Sequence, residues 1–248
     1  RSSVRLWENG QGELVGFSYV SSWQNLVDAF REDAFTPEVE QEMIDQAVHT
    51  VRERNAKSGK TDTLDASTLE SDTRRRTFLL RNGFELQAET SLLMARKLDE
   101  TLPQPVLPPG FNIRAMAGEL ELEEYVGLHR AAFGTENMTL EYRRSIMSAP
   151  DYQPELDLVA VAPDGRLAAF CVCQVFPDDS PRAGGKHEGW TDPIGTSPDF
   201  QRKGLAKALM LAGMHLLRER GIDTVLMGTS NTNAAMQLTA NSLGFRTV

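Results

Sequence analysis

Two short signatures each occur twice in this chain of 248 residues, in the same order. Residues 12–17 (GELVGF) resemble residues 165–170 (GRLAAF), and residues 78–84 (FLLRNGF) resemble residues 238–245, which end in LGF. The glycines of the two signatures are 71 residues apart in the first copy and 79 in the second. Because this agreement is hard to obtain by chance, the chain is predicted to contain two copies of one α/β unit.

A proline-rich run at residues 102–110 (LPQPVLPPG) separates the two copies. Its four prolines prevent a helix and favour an extended, semi-rigid connector. We therefore predict a first domain over residues 1–98, a linker over 99–110 and a second domain over 111–248.

The two copies differ at their ends. The second has a predicted strand and helices before its hairpin, over residues 112–147, and the first has no counterpart. The first has a predicted hairpin after its Gly-Phe, at 84–86 and 91–94, and the second has none. Missing ends, with a truncated first copy, are the favoured explanation. The alternative is a circularly arranged sheet that completes itself across the two units.

Composition indicates a soluble globular protein, with 40% hydrophobic and 25% charged residues. No apolar run approaches the length of about 20 residues that a membrane span needs, and no signal peptide is expected. The net charge of −9 offers no basic footprint for nucleic acid. The only cysteines, Cys171 and Cys173, provide no disulfide framework, so a reducing cytoplasm is the expected location. The four histidines show no metal-ligand spacing, so no metal is expected.

Residues 195–206 (GTSPDFQRKGLA) carry the strongest chemical signal. A predicted strand ends, a proline-containing turn follows, and a helix predicted over 203–220 begins. The free amides of a first helical turn carry partial positive charge, to which Arg202 and Lys203 add full charge. Gly204 lets a ligand approach the backbone closely. This combination suits a pyrophosphate, and the alternative is a turn that merely requires glycine.

This segment resembles a motif of the GNAT superfamily of acyl-CoA-dependent N-acetyltransferases. Residues 201–206 (QRKGLA) match its Q/R-x-x-G-x-G/A motif, and residues 196–200 match its V-x-P-x-Y approach. Asn233 and the LGF at 243–245 fall where the family has its Asn and its L-G-F ending. The resemblance covers residues 112–248 well and 4–98 weakly. It implies a mixed α/β fold of two tandem GNAT-like units, the first truncated.

The resemblance also implies the reaction. An acetyl or other acyl group would pass from acyl-CoA, without a metal, to a primary amine of a small molecule or peptide by direct attack in a ternary complex. The strand end would pair with the pantetheine arm, the helix start would hold the pyrophosphate, and an amide near Gly195 and Thr196 would receive the acyl carbonyl. A monomer or homodimer without nucleic-acid or membrane partners is expected. The implied cofactor-binding residues are Ile194, Gly195, Thr196, Gln201, Arg202, Lys203, Gly204, Leu205, Ala206 and Asn233.

The attacking amine must be neutral, so a base is expected on the strand before the motif. Period-2 counting places Glu188 and Asp192 on one face, and His187 is a third candidate. Each of the three could instead be a solvated or turn-capping residue. The family's commonest base position aligns on Trp190, which cannot serve.

The position of the usual general acid also departs from the family. Many members have a Tyr four residues before the Gly of the L-G-F ending, and Ala240 stands there. A thiol pKa of about 8.5 allows the CoA thiolate to leave unassisted or through water, and Ser230 is a candidate substitute. The gap leaves open an alternative function, a non-catalytic acyl-CoA-binding tandem pseudo-acetyltransferase.

The first copy departs further from the motif. Residues 30–38 (FREDAFTPE) contain no glycine, and three carboxylates crowd the helix start. Thr36 as N-cap and Pro37 at the first helical position predict a helix to about Arg54. Because the carboxylates compete with a pyrophosphate for the positive end of the helix dipole, this copy is predicted to be degenerate and to serve packing or one wall of the substrate cleft.

Overall fold

The computed structural model describes residues 4–98, 101–175 and 187–248. The chain divides into two compact units, Arg1–Ala88 (unit 1) and Glu89–Val248 (unit 2). Residues 1–3 of the predicted first domain and residues 99 and 100 of the predicted linker lie outside the described residues. No helix in the described part of the chain is long and apolar enough to cross a membrane.

Unit 1 contains a four-stranded sheet and two helices. Strands β1 (Arg5–Glu8) and β2 (Leu14–Val20) form the predicted antiparallel hairpin. Helix α1 (Pro37–Ser58) begins as predicted, since the Thr36 side chain accepts the Val39 amide at 3.4 Å, and it ends at the left-handed Gly59. The elements are β1 (Arg5–Glu8), β2 (Leu14–Val20), β3 (Asn25–Phe30), α1 (Pro37–Ser58), β4 (Asp65–Ala66) and α2 (Thr73–Arg81), with strand order β1-β2-β3-β4.

Unit 2 contains a seven-stranded mixed sheet and four helices, which confirms the predicted mixed α/β fold. Strands β9 (Glu188–Thr196) and β10 (Thr224–Ser230) are parallel, and the other neighbouring strands are antiparallel. The elements are β5 (Ser91–Lys97), β6 (Asn112–Ala115), α3 (Leu122–Phe133), α4 (Leu140–Met147), β7 (Asp157–Val161), β8 (Leu167–Val175), β9 (Glu188–Thr196), α5 (Leu205–Glu219), β10 (Thr224–Ser230), α6 (Ala234–Ser242) and β11 (Arg246–Thr247). The strand order is β11-β5-β10-β9-β8-β7-β6.

Strand β5 corrects the prediction of a hairpin after the first Gly-Phe. Residues 84–86 form no strand, whereas β5 pairs with β10 along its whole length, from Ser91 opposite Ser230 to Lys97 opposite Thr224. On its other side β5 pairs with β11. The strand therefore belongs to the sheet of unit 2, and the division between the units falls at Ala88 instead of the predicted residue 98.

Helices cover both faces of the unit 2 sheet. Helix α5 packs on β8 and β9, with Leu209, Met214 and Leu217 fully buried. Helix α3 packs on the opposite face, where Tyr125 lies against Phe170 with 5.0 Å between ring centroids. Strand β9, in the middle of the sheet, therefore has α5 on one side and α3 on the other.

Candidate functional site

The predicted pyrophosphate loop joins β9 to α5. Phe200 is buried and anchors the loop, while Arg202 and Gly204 adopt left-handed backbone conformations with φ of 64° and 78°. Residue Ala208 donates the first helical hydrogen bond, to the Gly204 carbonyl at 3.0 Å, and no side chain caps the helix. The amides of residues 205–207 therefore have no acceptor within the helix.

The charge around this helix start is positive. Gln201, Arg202 and Lys203 are exposed. The nearby carboxylate of Asp199 accepts a bond from Arg166 Nη1 at 3.1 Å. Free amides and two exposed cations at one helix start can together hold a diphosphate.

The corresponding helix of unit 1 begins differently. Thr36 caps α1, and Pro37 brings no amide hydrogen to the first turn. A cavity of about 400 Å³ lies between the start of α1 and α2. Within it Arg81 donates to the Glu40 carboxylate. The start of α1 therefore has fewer free amides than that of α5, and its first turn contains Glu38 and Glu40 where α5 has no carboxylate.

Strands β9 and β10 separate beside the loop. Their described ladder pairs run from Glu188 with Thr224 to Trp190 with Leu226 and go no further. On its other side β9 remains paired with β8 as far as Thr196. We call the space between residues 192–196 of β9 and 228–230 of β10 the strand gap. The β9 edge that faces this gap has no strand partner in the described residues.

Gly195 lies at the strand gap for a packing reason that the sequence did not reveal. A β-carbon at this position would lie 2.6 Å from Cε1 of Phe170, its partner on β8, and 2.9 Å from Cβ of Ala132 on α3. Ordinary contacts at a β-carbon are 3.4–4 Å. Only glycine fits between β8 and α3 here without displacing them.

The three candidate bases occupy two different places. Glu188 and the residue before it, His187, lie at the paired end of β9, where the His187 carbonyl accepts the Asp223 amide at 3.0 Å. Asp192 is half-buried at the strand gap, next to Gly228. Burial raises the pKa of the Asp192 carboxyl, and a backbone hydrogen bond from Gly228 offsets part of that rise. Asp192 is thus the one of the three that lies at the gap.

Ser230 lies at the end of β10 in a small polar cluster that sequence reasoning missed. Its hydroxyl donates to Glu89 Oε1 at 2.6 Å, and the Thr232 hydroxyl donates to the same oxygen at 3.2 Å. Because 141 residues separate Glu89 from Ser230, no local sequence pattern could have paired them. The Ser230 proton is therefore directed to a carboxylate.

Asn233 and Ala240 both belong to the region of helix α6. The Asn233 side chain caps the helix by accepting the Met236 amide at 3.1 Å. Ala240 is completely buried in the main core of unit 2. These contacts give Asn233 a role in ordering the chain after β10.

A buried ion pair lies on the α3 side of the sheet and was also missed. Arg143 on α4 bonds to Asp157 on β7, and their side chains are 1% and 0% exposed. The Tyr152 hydroxyl donates to the same carboxylate at 2.6 Å, and Arg143 lies 3.9 Å from the centroid of the Tyr125 ring. Both tyrosines therefore serve packing and this network.

The described residues contain no group of three or more His, Cys, Asp or Glu side chains that could hold a metal ion. Both cysteines are free and buried.

A family model described as the acetyltransferase (GNAT) family matches residues 120–245, just over half of the chain. Mycothiol acetyltransferase of Saccharomonospora viridis is 28% identical over 172 residues, which cover 68% of this chain and 56% of that protein. The chain spans about half the length of the curated relatives it matches.

Two solved structures share the fold along almost the whole chain. A GCN5-related N-acetyltransferase from Sphaerobacter thermophilus has a TM-score of 0.68 and 18% identity, covering 99% of this chain and 77% of that one. A tandem GNAT protein from the clavulanic acid biosynthesis pathway has a TM-score of 0.69 and 14% identity, covering 99% and 80%.

Proposed function

The chain belongs to the GNAT family of acetyltransferases, and we propose that it transfers an acetyl group from acetyl-CoA to a primary amine of a small molecule or peptide. The observation that carries the proposal is the uncapped start of α5 beside the open edge of β9. A helix start can bind the diphosphate of CoA, and a free strand edge can bind its pantetheine amides.

The proposed cofactor-binding residues are those that the family resemblance implies. Residues 202–206 would hold the diphosphate through their amides, with Gln201, Arg202 and Lys203 around it. Ile194, Gly195 and Thr196 would pair with the pantetheine arm, and Asn233 would order the chain beside it. Acetyl-CoA supplies a thioester that an amine can attack directly in a ternary complex.

Asp192 is the preferred general base, ahead of Glu188. The amine nitrogen forms a bond to the thioester carbonyl carbon, and the Asp192 carboxylate takes a proton from that nitrogen. A backbone amide near Gly195 or Thr196 stabilises the negative charge on the carbonyl oxygen. The C–S bond then breaks, and its electron pair leaves on sulfur. A raised pKa suits Asp192 to this task near neutral pH.

The thiolate leaves unassisted or through water in this proposal. Ser230 is a poor proton donor because its hydroxyl already donates to Glu89. The missing acid at Ala240 also supports the second candidate function, an acyl-CoA-binding protein without catalysis. Incubation of the protein and acetyl-CoA with a panel of amines separates the two, because only the enzyme releases free CoA thiol.

The acceptor class rests on the relatives. Those matched are named mycothiol acetyltransferase, which favours a small-molecule amine over a peptide. The capped and acidic start of α1 supports a first copy that is degenerate in cofactor binding. We propose that the protein is located in the cytoplasm and that it is a monomer or a homodimer.

The cofactor assignment is tested by charge at Gly204. Any side chain at this left-handed position introduces backbone strain, so Gly204→Gln serves as the uncharged match for Gly204→Glu. We expect Gly204→Glu to weaken acetyl-CoA binding about tenfold more than Gly204→Gln, measured by calorimetry. Gly221→Glu, at another open left-handed glycine just beyond the opposite end of α5, is the distant control. Equal affinity in Gly204→Glu and Gly204→Gln would contradict the assignment.

A further inference from the structure

The strand gap begins at one pair of residues, Asp192 on β9 and Gly228 on β10. The last ladder pair joins Trp190 with Leu226. A parallel ladder that continued in the same register would therefore bring Asp192 and Gly228 opposite each other. They do lie together, but the Asp192 side chain, rather than the β9 backbone, meets Gly228.

The contact between these residues is close and specific. Asp192 Oδ2 lies 3.3 Å from the point where a β-carbon on Gly228 would be. The Gly228 amide interacts with the same carboxylate and lowers the pKa of Asp192, against the effect of burial. Glycine thus leaves room for the carboxylate, and the carboxylate satisfies an amide that would otherwise need a strand partner.

An irregularity in the neighbouring pairing supports the same assignment. The pairing of β9 with β8 shifts register between Thr191 and Ile194, so Asp192 lies within a bulge. Bulges redirect side chains next to functional sites. Here the redirected side chain is the one that contacts Gly228.

We propose that Asp192 is a positioning residue that keeps the strand gap open. By taking the Gly228 amide, its carboxylate prevents β9 and β10 from pairing beyond Leu226, and the β9 edge at residues 194–196 stays free for the cofactor arm. This inference rests on the proposed function but is separate from proton removal, because any acceptor oxygen of the same reach would hold the gap.

The physical reason is a competition for one amide. A hydrogen bond from an amide to a carboxylate is stronger than one to a neutral carbonyl. If the strands closed, the half-buried Asp192 would lose this bond without gaining water.

The charge of Asp192 also acts on Cys171 of β8. The pKa of the Cys171 thiol is raised by its hydrogen bond with Cys173, by burial and by nearby charges including Asp192.

Two substitutions separate the positioning role from the base. In Asp192→Asn the side-chain oxygen still accepts the Gly228 amide but cannot take a proton from the amine. Asp192→Ala removes the acceptor as well. Asp223→Asn, an exposed carboxylate at the opposite end of β10, is the matched control.

The measurements are acetyl-CoA affinity by calorimetry and the amide resonance of Gly228 in ¹⁵N-glycine-labelled protein. We expect Asp192→Asn to bind like the wild type and Asp192→Ala to bind about tenfold more weakly. The Gly228 amide resonance should shift with pH in the wild type and in Asp223→Asn, but not in Asp192→Asn.

The outcomes distinguish this inference from the proposed function. Wild-type affinity in Asp192→Ala overturns the positioning role, whatever its activity. A wild-type kcat in Asp192→Asn overturns the assignment of Asp192 as general base. The positioning role is then decided by the acetyl-CoA affinity of Asp192→Ala. Because the titration uses the unmodified protein, a Gly228 resonance independent of pH overturns the inference even if Asp192→Ala does not fold.

Discussion

Replacing Gly195 by alanine tests whether the packing of β9 against α3 controls the reaction. The new β-carbon would lie 2.6 Å from the Phe170 ring, so the ring, the helix or the strand must move by about 0.8 Å to reach the shortest ordinary contact of 3.4 Å. Phe170 is completely buried and has little freedom to move. Overpacking of this kind costs about 1–3 kcal/mol of unfolding free energy.

The same displacement should lower activity. A misplacement of about 1 Å at a site that aligns two reactants can reduce the rate about 100-fold. We therefore expect kcat of Gly195→Ala to fall by about that factor, while the start of α5 and its grip on the diphosphate change less. Thiol release during steady-state turnover measures kcat, calorimetry measures acetyl-CoA affinity, and urea denaturation measures stability.

Gly16→Ala is the control, because its β-carbon would likewise overlap a phenylalanine ring, that of Phe30 in unit 1. It should destabilise the protein with little effect on kcat. Wild-type stability in Gly195→Ala would refute the packing described for Phe170 and Ala132. Normal kcat in a destabilised Gly195→Ala would refute the link between this packing and catalysis.

The remaining predictions concern polar and charged groups. Asp157→Asn leaves Arg143 buried without its charged partner and should lower the unfolding free energy, measured by urea denaturation, by about 3–5 kcal/mol. The double variant Arg143→Met with Asp157→Leu should recover most of that loss. A loss below about 1 kcal/mol in Asp157→Asn would contradict the prediction. Ser230→Ala should leave kcat nearly unchanged, because the Ser230 proton is donated to Glu89; a large loss would identify Ser230 as the general acid. The rate should rise with pH through the raised pKa of Asp192 and then level off, because only the carboxylate accepts the amine proton. The same raised pKa means that the folded state holds this proton more tightly, so the contribution of Asp192 to stability falls as pH rises from its ordinary to its raised pKa.

The local elements of unit 2 were predictable because their signals are local. Helix α5 was predicted over residues 203–220 and spans Leu205–Glu219. Its apolar spacing and the glycine that follows it are properties of neighbouring residues. The β7–β8 hairpin has a similar origin in its Pro-Asp-Gly turn.

The partner of β5 could not be predicted in the same way. A strand of alternating exposed and buried residues does not specify which edge it joins, since the hydrogen bonds come from the backbone. Continuity of the chain suggested a local hairpin, whereas β5 pairs with β10, which lies 127 residues or more further along the chain. A sheet that completes itself across the two copies was the less favoured alternative. Strand β5, which was assigned to the first domain, pairs with β10 in the sheet of unit 2.

The contacts at the strand gap were hidden for another reason. Period-2 counting named Asp192 but could not show that Gly228 would face it, because that pairing depends on where two strands stop pairing. The Glu89–Ser230 and Arg143–Asp157 pairs likewise join residues whose separate positions carry no distinctive pattern.

Strand β5 also determines how this protein can be cut. A gene fragment designed at the proline-rich run would encode unit 2 without residues 91–97, leaving β10 and β11 each with an unsatisfied backbone edge. The vacant slot has the shape of one seven-residue strand. In a concentrated mixture of this fragment with intact chains, we expect β5 of an intact chain to pair with the exposed edges of β10 and β11 in the fragment. A fragment made for expression should therefore begin at Glu89, so that it includes β5.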